Sequence, residues 1–303
     1  MRPEQILAHA PLVLDQAARE RYFEQGYVLC PGYLSARWLE RLRVLTEAQL
    51  ELSRTVQSAN EAFDLGPGHC AEQPNVRRIR ATVDRDPGYW DFATDPEITD
   101  LVADLVGPDV KFHSSKLNFK RARDGDPVKW HQDIQAWPHT NFSPLTLGVY
   151  LHDTGPDQGP LSVLPGSHLG PIYEMYDGDR WTGHMKDTDL ARLDLTQAVD
   201  LTGPAGTVCA IDCRVLHGSA PNHSDIDRPM LLYVYSSADA FTFTPAPTPT
   251  SHTGEIVRGK PARHAHFDDV SFRLPPDWSK VGYRSIYAAQ HGEARAMAGD
   301  AAD

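Results

Sequence analysis

Trp130-His131-Gln132-Asp133 sets an imidazole and a carboxylate two residues apart. Residues 128–136 contain no Gly or Pro and mix Trp130 and Ile134 with polar side chains, which predicts a strand. On a strand, side chains two apart share a face, so His131 and Asp133 point the same way with Cα atoms roughly 6.6 Å apart. An imidazole nitrogen and a carboxylate oxygen at that spacing can meet on one metal ion. The best candidate for a third ligand is His217, in Val215-Leu216-His217-Gly218-Ser219. Two histidines and one carboxylate on one side of an ion leave its other positions open, a donor set suited to non-haem Fe(II) and O2. Taken alone, His-x-Asp is better explained as a polar surface strand. The rest of the chain tips the balance toward the metal.

The elements that must position these residues lie in a chain of 303 residues, enough for one large domain or two small ones. Its 29 Lys and Arg against 41 Asp and Glu give a net charge of −12, which disfavours a nucleic-acid surface or a polybasic membrane patch. No apolar run approaches the ~18 residues that span a bilayer. The opening Met1-Arg2-Pro3-Glu4-Gln5 does not read as a signal peptide, and the end is not a Ser-Lys-Leu-type address. Four cysteines in this length do not make a disulfide framework, so a reducing cytoplasm is expected.

Helical patterns come first. Residues 14–25 read as a helix closed by Gly26, and Ser35 caps a second helix carrying Trp38, Leu42, Leu45 and Ala48. Residues 56–75 read as a loop. Asp95-Pro96 opens a helix that runs to Gly107. Beyond Gly107 the period changes to two, predicting strands over 110–121, 128–136, 145–152, 161–164, 206–216 and 230–236. Turn clusters such as Asp124-Gly125-Asp126 separate them. So many short strands predict an antiparallel jelly-roll barrel. Residues 171–195 read as an irregular insertion over the barrel mouth, and the Thr/Pro tract 243–250 as an extended excursion. Residues 288–303 read as a helix end and a frayed tail.

Within 207–217, Cys209, Ile211, Cys213, Val215 and His217 fall on one face. A Cys209–Cys213–His217 zinc site fails on geometry, because strand residues four apart are about 13 Å apart and zinc ligands must converge to about 2.3 Å. The cysteines are core fillers. Arg228 follows His217 across the turn at 222–225, so a hairpin would return it beside His217. There its guanidinium could grip a carboxylate with two hydrogen bonds, or pair at the surface with Asp225 or Asp227.

Trp130-His131-Gln132-Asp133, the run Gly159-Pro160-Leu161-Ser162-Val163-Leu164-Pro165-Gly166-Ser167-His168, His217-Gly218-Ser219 and Arg228 together resemble the phytanoyl-CoA dioxygenase family. The opening Phe23-Glu24-Gln25-Gly26-Tyr27-Val28 fits too, so the resemblance covers roughly residues 20–237. It implies an α+β fold: a double-stranded β-helix (jelly-roll, cupin-type) core with N-terminal helices packed on the barrel. It implies Fe(II) held by His131, Asp133 and His217, with 2-oxoglutarate and O2 as co-substrates. Arg228 would grip the distal carboxylate of 2-oxoglutarate with help from Ser219, and Asn118 and Lys116 would line the same pocket. Within the family the chain looks nearest the ectoine hydroxylase branch, through Asn118, Trp137, His217-Gly218-Ser219 and Tyr233-Val234-Tyr235-Ser236. It departs from that branch over 134–140, which lacks an acidic-aromatic run.

Other candidates need weighing. His168 is the rival third ligand, placed second because Arg228 follows His217. His152, His223, His264 and His266 read as surface or loop residues. Arg77-Arg78-Ile79-Arg80 reads first as a solvated edge, although Arg78 and Arg80 would share a strand face and could receive an anionic group. Trp137 could line the pocket. The expectation is one dioxygenase domain over 1–303, divided into an N-terminal helical region (1–107), the β-helix core (108–238) and a C-terminal extension (239–303). The expected reaction is hydroxylation of a small polar metabolite with release of succinate and CO2. Desaturation, cyclisation and epimerisation start from the same chemistry. Asp133 argues against halogenation. A non-catalytic jelly-roll binding protein and a cupin-type isomerase or hydrolase are the alternatives from other classes. The acidic chain repels a polyanionic CoA thioester, so a free small molecule such as an amino acid derivative is expected. The oligomeric state is left open.

Overall fold

The computed structural model describes residues 1–123, 125–283 and 285–290. Its strands in chain order are β1 (Tyr27–Cys30), β2 (Phe63–Leu65), β3 (Val76–Arg80), β4 (Val110–Lys120), β5 (Val128–His131), β6 (Leu145–Tyr150) and β7 (Leu161–Val163). There follow β8 (Tyr176–Asp177), β9 (Arg180–Trp181), β10 (Val199–Leu201), β11 (Val208–Asp212), β12 (His217–Ser219), β13 (Arg228–Ser237) and β14 (Ile256–Arg258). Among the described residues, one sheet runs β1-β11-β6-β13-β4-β3-β2, with β14 also on β4, and a second runs β10-β7-β12-β5. Neighbouring strands in both are antiparallel, and the two sheets make the double-stranded β-helix.

Alternation along the central strands decides which face does what. On β13, Leu231, Tyr233 and Tyr235 join the main core with Trp38 and Phe92, against the N-terminal helices. Met230 and Leu232 point the other way, toward the small sheet, with Val163 and Val215. The buried tyrosine hydroxyls are satisfied, Tyr233 donating to Tyr89 O (2.9 Å) and Tyr235 to Ala93 O (3.0 Å). On β4 the same alternation sends Leu117 and Phe119 into the helical core and leaves Lys116, Asn118 and Lys120 facing a cleft between the sheets.

The three expected helices are present. Asp15 caps Gln16–Gln25 through Ala18 N (2.7 Å), and the helix ends on Gly26 in the left-handed region at φ 82°. A Cβ at Gly26 would also sit 2.6 Å from His168 Nδ1, so only glycine fits there. Ser35 caps Ala36–Ser53, and Asp95 caps Pro96–Val106. The buried stripe of the second helix runs Trp38, Leu42, Thr46, Gln49 and Ser53. Ala48 is exposed, off that stripe.

Several boundaries differ from expectation. The strand expected over 128–136 ends at His131, and Asp133 opens a 3-10 turn whose Ile134 N–H is held by Cys213 O (2.9 Å). The strand expected over 206–216 ends at Asp212, where the Asp212 side chain accepts from Arg214 N (2.8 Å) and turns the chain. His217 therefore starts β12 in the other sheet, not the end of an inward row. Residues 56–75 are not all loop, since β2 lies within them and pairs with β3. β3 is no solvated edge: Arg77 and Arg78 are buried between β2 and β4. The insertion at 171–195 forms the β8–β9 hairpin and the short helix Asp187–Leu190. Asp124 of the expected turn, and residues 291–303 of the expected tail, lie outside the described residues. Among those described, no helix is long and apolar enough to cross a membrane.

β12 and β5 set His217 directly opposite His131. Between them a Cβ at Gly218 would lie 2.8 Å from Val128 O, so glycine permits the close approach. Gly218→Ala is expected to push the two strands apart at a cost of about 1–3 kcal/mol and to weaken Fe(II) binding about tenfold or more. An anaerobic Fe(II) titration checks this, and unchanged affinity would show that the strand pair tolerates the methyl.

Candidate active site

His131, Asp133 and His217 are buried and offer ligand atoms within 4.8 Å of one another, the one such group among the described residues. Each imidazole is oriented through its inner nitrogen. His131 Nδ1 lies 2.8 Å from Lys129 O, and His217 Nδ1 lies 3.0 Å from Val215 O. A carbonyl accepts only from N–H, so both rings carry the proton on Nδ1 and turn the Nε2 lone pair inward. Both Nε2 atoms are 3.9 Å from Asp133 Oδ1. Thr146 Oγ1 donates to the other oxygen, Oδ2, at 2.6 Å. Two nitrogen lone pairs and one carboxylate oxygen thus converge with their other hydrogen bonds already made. This donor set fits Fe(II).

Electrostatics favour the ligating forms. Burial, then the neighbouring His217, pushes the His131 imidazole down to about 3, leaving it neutral at physiological pH. Asp133 is held down at about 2: burial raises it, but His217, Lys116 and His131 together outweigh that.

Arg228 lies at the other end of the same cleft, which encloses about 1020 Å³ including its mouth. It does not return on a hairpin with His217. β13 belongs to the large sheet, where Arg228 pairs in register with Lys120. The surface ion pair is also excluded: Asp225 pairs with Arg123, Asp227 pairs with Arg121, and Arg228 is only 3% exposed. Its Nη2 donates to Gly159 O at 2.5 Å, and its Nε has no partner among the described residues. A buried guanidinium with no carboxylate partner among the described residues has donors to offer an anion.

The cleft gathers most of the other expected residues. Ser219, Asn118, Lys116, Trp137 and Arg78 line it. Arg78 Nε donates to Asn118 Oδ1 (2.8 Å), which leaves the Asn118 NH2 free to donate into the cleft. Arg80 does not reach the cleft, since its guanidinium turns to Tyr283 O and Asn60 O. His168 is no ligand: its Nε2 lies 3.0 Å from Phe23 O, packing the 167–169 turn against the first long helix. Cys209 and Cys213 are buried outside the metal group, as core.

Sequence reasoning missed Thr146, Lys120, and the walls from Met175, Trp181, Tyr283 and Tyr287. Lys120 is the informative omission. Burial, then Arg228, depresses its amine to about 6, yet Nζ faces the carbonyls of Asp126, Ser219 and Ala220. Three acceptors call for the three N–H donors of an ammonium, which here tethers the segment after His217. The alternation Lys116-Leu117-Asn118-Phe119-Lys120 already placed it on the cleft face.

Buried neutral histidines have a measurable consequence. Burial holds His113 well below 6.5, His131 at about 3 and His139 at about 4. Below pH 6.5 the unfolded chain takes up protons that the folded apoprotein refuses, so stability is full above that pH and falls as pH drops. The limiting slope is about 1.4 kcal/mol per pH unit for each imidazole. Urea unfolding of the apoprotein at pH 7.0 and 5.5 should show this loss, and His139→Leu should reduce it. An unchanged pH dependence in that variant would contradict the assignment.

A family model described as phytanoyl-CoA dioxygenase (PhyH) matches residues 22–230. A probable alpha-ketoglutarate-dependent hypophosphite dioxygenase from Stutzerimonas stutzeri is 32% identical over 282 residues, spanning 90% of this chain and 96% of that protein. An ectoine dioxygenase from Stutzerimonas stutzeri strain A1501 is 29% identical over 251 residues, 77% and 80% of the two chains. The crystal structure of EctD from S. alaskensis with bound Fe superposes with a TM-score of 0.64 at 24% identity, covering 86% of this chain and 88% of that one, which shows a shared fold. With the family model spanning most of the β-helix and the first relative nearly the whole chain, this protein belongs to the phytanoyl-CoA dioxygenase family.

Proposed function

We propose that His131, Asp133 and His217 hold the Fe(II) of a 2-oxoglutarate-dependent dioxygenase, that Arg228 binds the distal carboxylate of 2-oxoglutarate, and that the reaction hydroxylates a compact polar substrate. The observation that carries this reading is one cleft containing both the convergent triad and the buried Arg228, which makes no ion pair among the described residues. Fe(II), when bound, supplies O2 activation coupled to oxidative decarboxylation of 2-oxoglutarate to succinate and CO2.

The chain's own residues position the reactants. Arg228, anchored through Gly159 O, presents its remaining N–H groups to a carboxylate. Ser219 and the free amide N–H groups of Asn118 line the route from Arg228 toward the triad. Trp137, Trp181 and Met175 wall the cleft with apolar surface, which limits water around the reacting centre. Hypophosphite and ectoine, in the names of the two relatives, are both compact molecules, which supports a small free substrate over a CoA thioester.

Removing one member of a buried charge pair costs about 3–5 kcal/mol, so Arg228→Ala should raise the half-saturating 2-oxoglutarate concentration by about two to three orders of magnitude. Arg228→Lys keeps the charge without the planar fork and should also weaken it. Fe(II) affinity should hardly change in either. Succinate formation measured against 2-oxoglutarate at saturating Fe(II) checks this, and unchanged half-saturation in Arg228→Ala would remove the co-substrate assignment. No succinate from the wild type would remove the dioxygenase reading.

A further inference from the structure

The charges lining the cleft are lopsided. Among the described residues, Arg78, Lys116 and Arg228 face it against a single carboxylate, Asp133, even with Lys120 left aside as a tether. An Fe(II) ion and the doubly negative 2-oxoglutarate cancel each other, so loading the site does not remove the excess. The chain as a whole carries −12, so the imbalance is local.

Arg228 is accounted for by the distal carboxylate and Arg78 is not; Lys116, which the resemblance puts in the co-substrate pocket, lies beyond Asn118 from Arg228, where the distal carboxylate does not reach. Arg78 is 2% exposed and makes no ion pair among the described residues. Its contacts are uncharged: Asn118 Oδ1 at 2.8 Å, the Tyr283 hydroxyl beside it, and the Tyr287 ring 5.5 Å from Cζ. Asp64 is its cross-strand neighbour in register and is also buried, yet no ion pair forms between them. Counting Asp64 still leaves the cleft positive. Lys116 sits one cleft-facing position along β4 from Asn118, toward the triad, and away from Lys120 and Arg228. Its amine feels both Arg78 and Asp133. A buried guanidinium without a counter-ion is costly unless a ligand supplies one.

Resting on the dioxygenase reading above, we infer that the primary substrate carries a compact oxyanion, a carboxylate, phosphonate or sulfonate group, received by Arg78 and Lys116. Arg78 offers planar N–H donors suited to two oxygens at once, and Lys116 adds a point charge on the side nearer the triad. The group so held places the rest of a small molecule between Arg78 and His131, Asp133 and His217. Asp133 is the only carboxylate among the described lining residues and would be committed to the metal, so no other described lining residue offers an acid to a substrate ammonium.

The test uses the protein loaded anaerobically with Fe(II) and saturating 2-oxoglutarate, titrated calorimetrically with acetate, methylphosphonate and methanesulfonate, and with ethylammonium chloride at equal ionic strength. At least one oxyanion should bind and ethylammonium should not; which oxyanion binds best tells the three sources apart. Lys116→Met and Arg78→Lys should each weaken that binding tenfold or more, and by a larger factor than either weakens 2-oxoglutarate binding. Oxyanion binding that survives both substitutions overturns the assignment. So does an oxyanion that 2-oxoglutarate displaces, since the two cations would then belong to the co-substrate. Intact 2-oxoglutarate binding with no oxyanion bound overturns the substrate class alone, whereas failure of 2-oxoglutarate itself to bind removes the dioxygenase reading as well.

Discussion

One antiparallel pairing governs the site: β12 against β5, with His217 opposite His131. Paired strand residues are held about 4.5–5.5 Å apart, which brings two imidazoles together without help from any flexible segment. The same backbone that sets the register also sets the tautomers, since Lys129 O and Val215 O each hold an Nδ1–H. Asp133 joins from just past the end of β5 because the chain turns there, and Thr146 of β6 fixes which oxygen faces inward. The triad thus assembles within one sheet and the turn that follows β5, and sheet-to-sheet packing adds Thr146, which orients the carboxylate.

Charge is the second organising constraint. The surface of an acidic chain surrounds a cleft whose described lining is cationic apart from Asp133. Arg228 and Arg78 lie at separate places on the large sheet, one opposite Lys120 and the other opposite Asn118. Both are buried, and neither makes an ion pair among the described residues. In a low-dielectric cleft such groups select for negative charge and reject its opposite more strongly than surface residues can. In the proposed reading, a co-substrate with two carboxylates answers Arg228, and the primary substrate is left to answer Arg78.

Much of this was legible in the chain, for identifiable reasons. The period-two alternation of β4 and β13 announced the sheet, and the closing Gly26 with the starts at Ser35 and Asp95-Pro96 announced the helices, because both signals are local. Arg228 following His217 pointed to the third member of the convergent group, although the route was misread: the Asp212 turn breaks the strand and carries His217 into the other sheet. That break depends on a side chain hydrogen-bonding its own backbone, which apolar alternation does not register. Arg77-Arg78-Ile79-Arg80 looked like a solvated edge because a run of charge says nothing about what covers it. β2, within an expected loop, covers it. Tyr283 and Tyr287 had no signal at all, since the C-terminal extension lacks a period and its place over the cleft is purely tertiary.

The central claim is that one Fe(II) ion is shared by His131, Asp133 and His217. Anomalous diffraction at the iron edge, from crystals grown anaerobically with Fe(II), tests it most directly. The account expects a single strong peak in bonding contact with Nε2 of both histidines and Oδ1 of Asp133. A peak at His168, at the His113–His139 pair, or on only two members of the triad would contradict it.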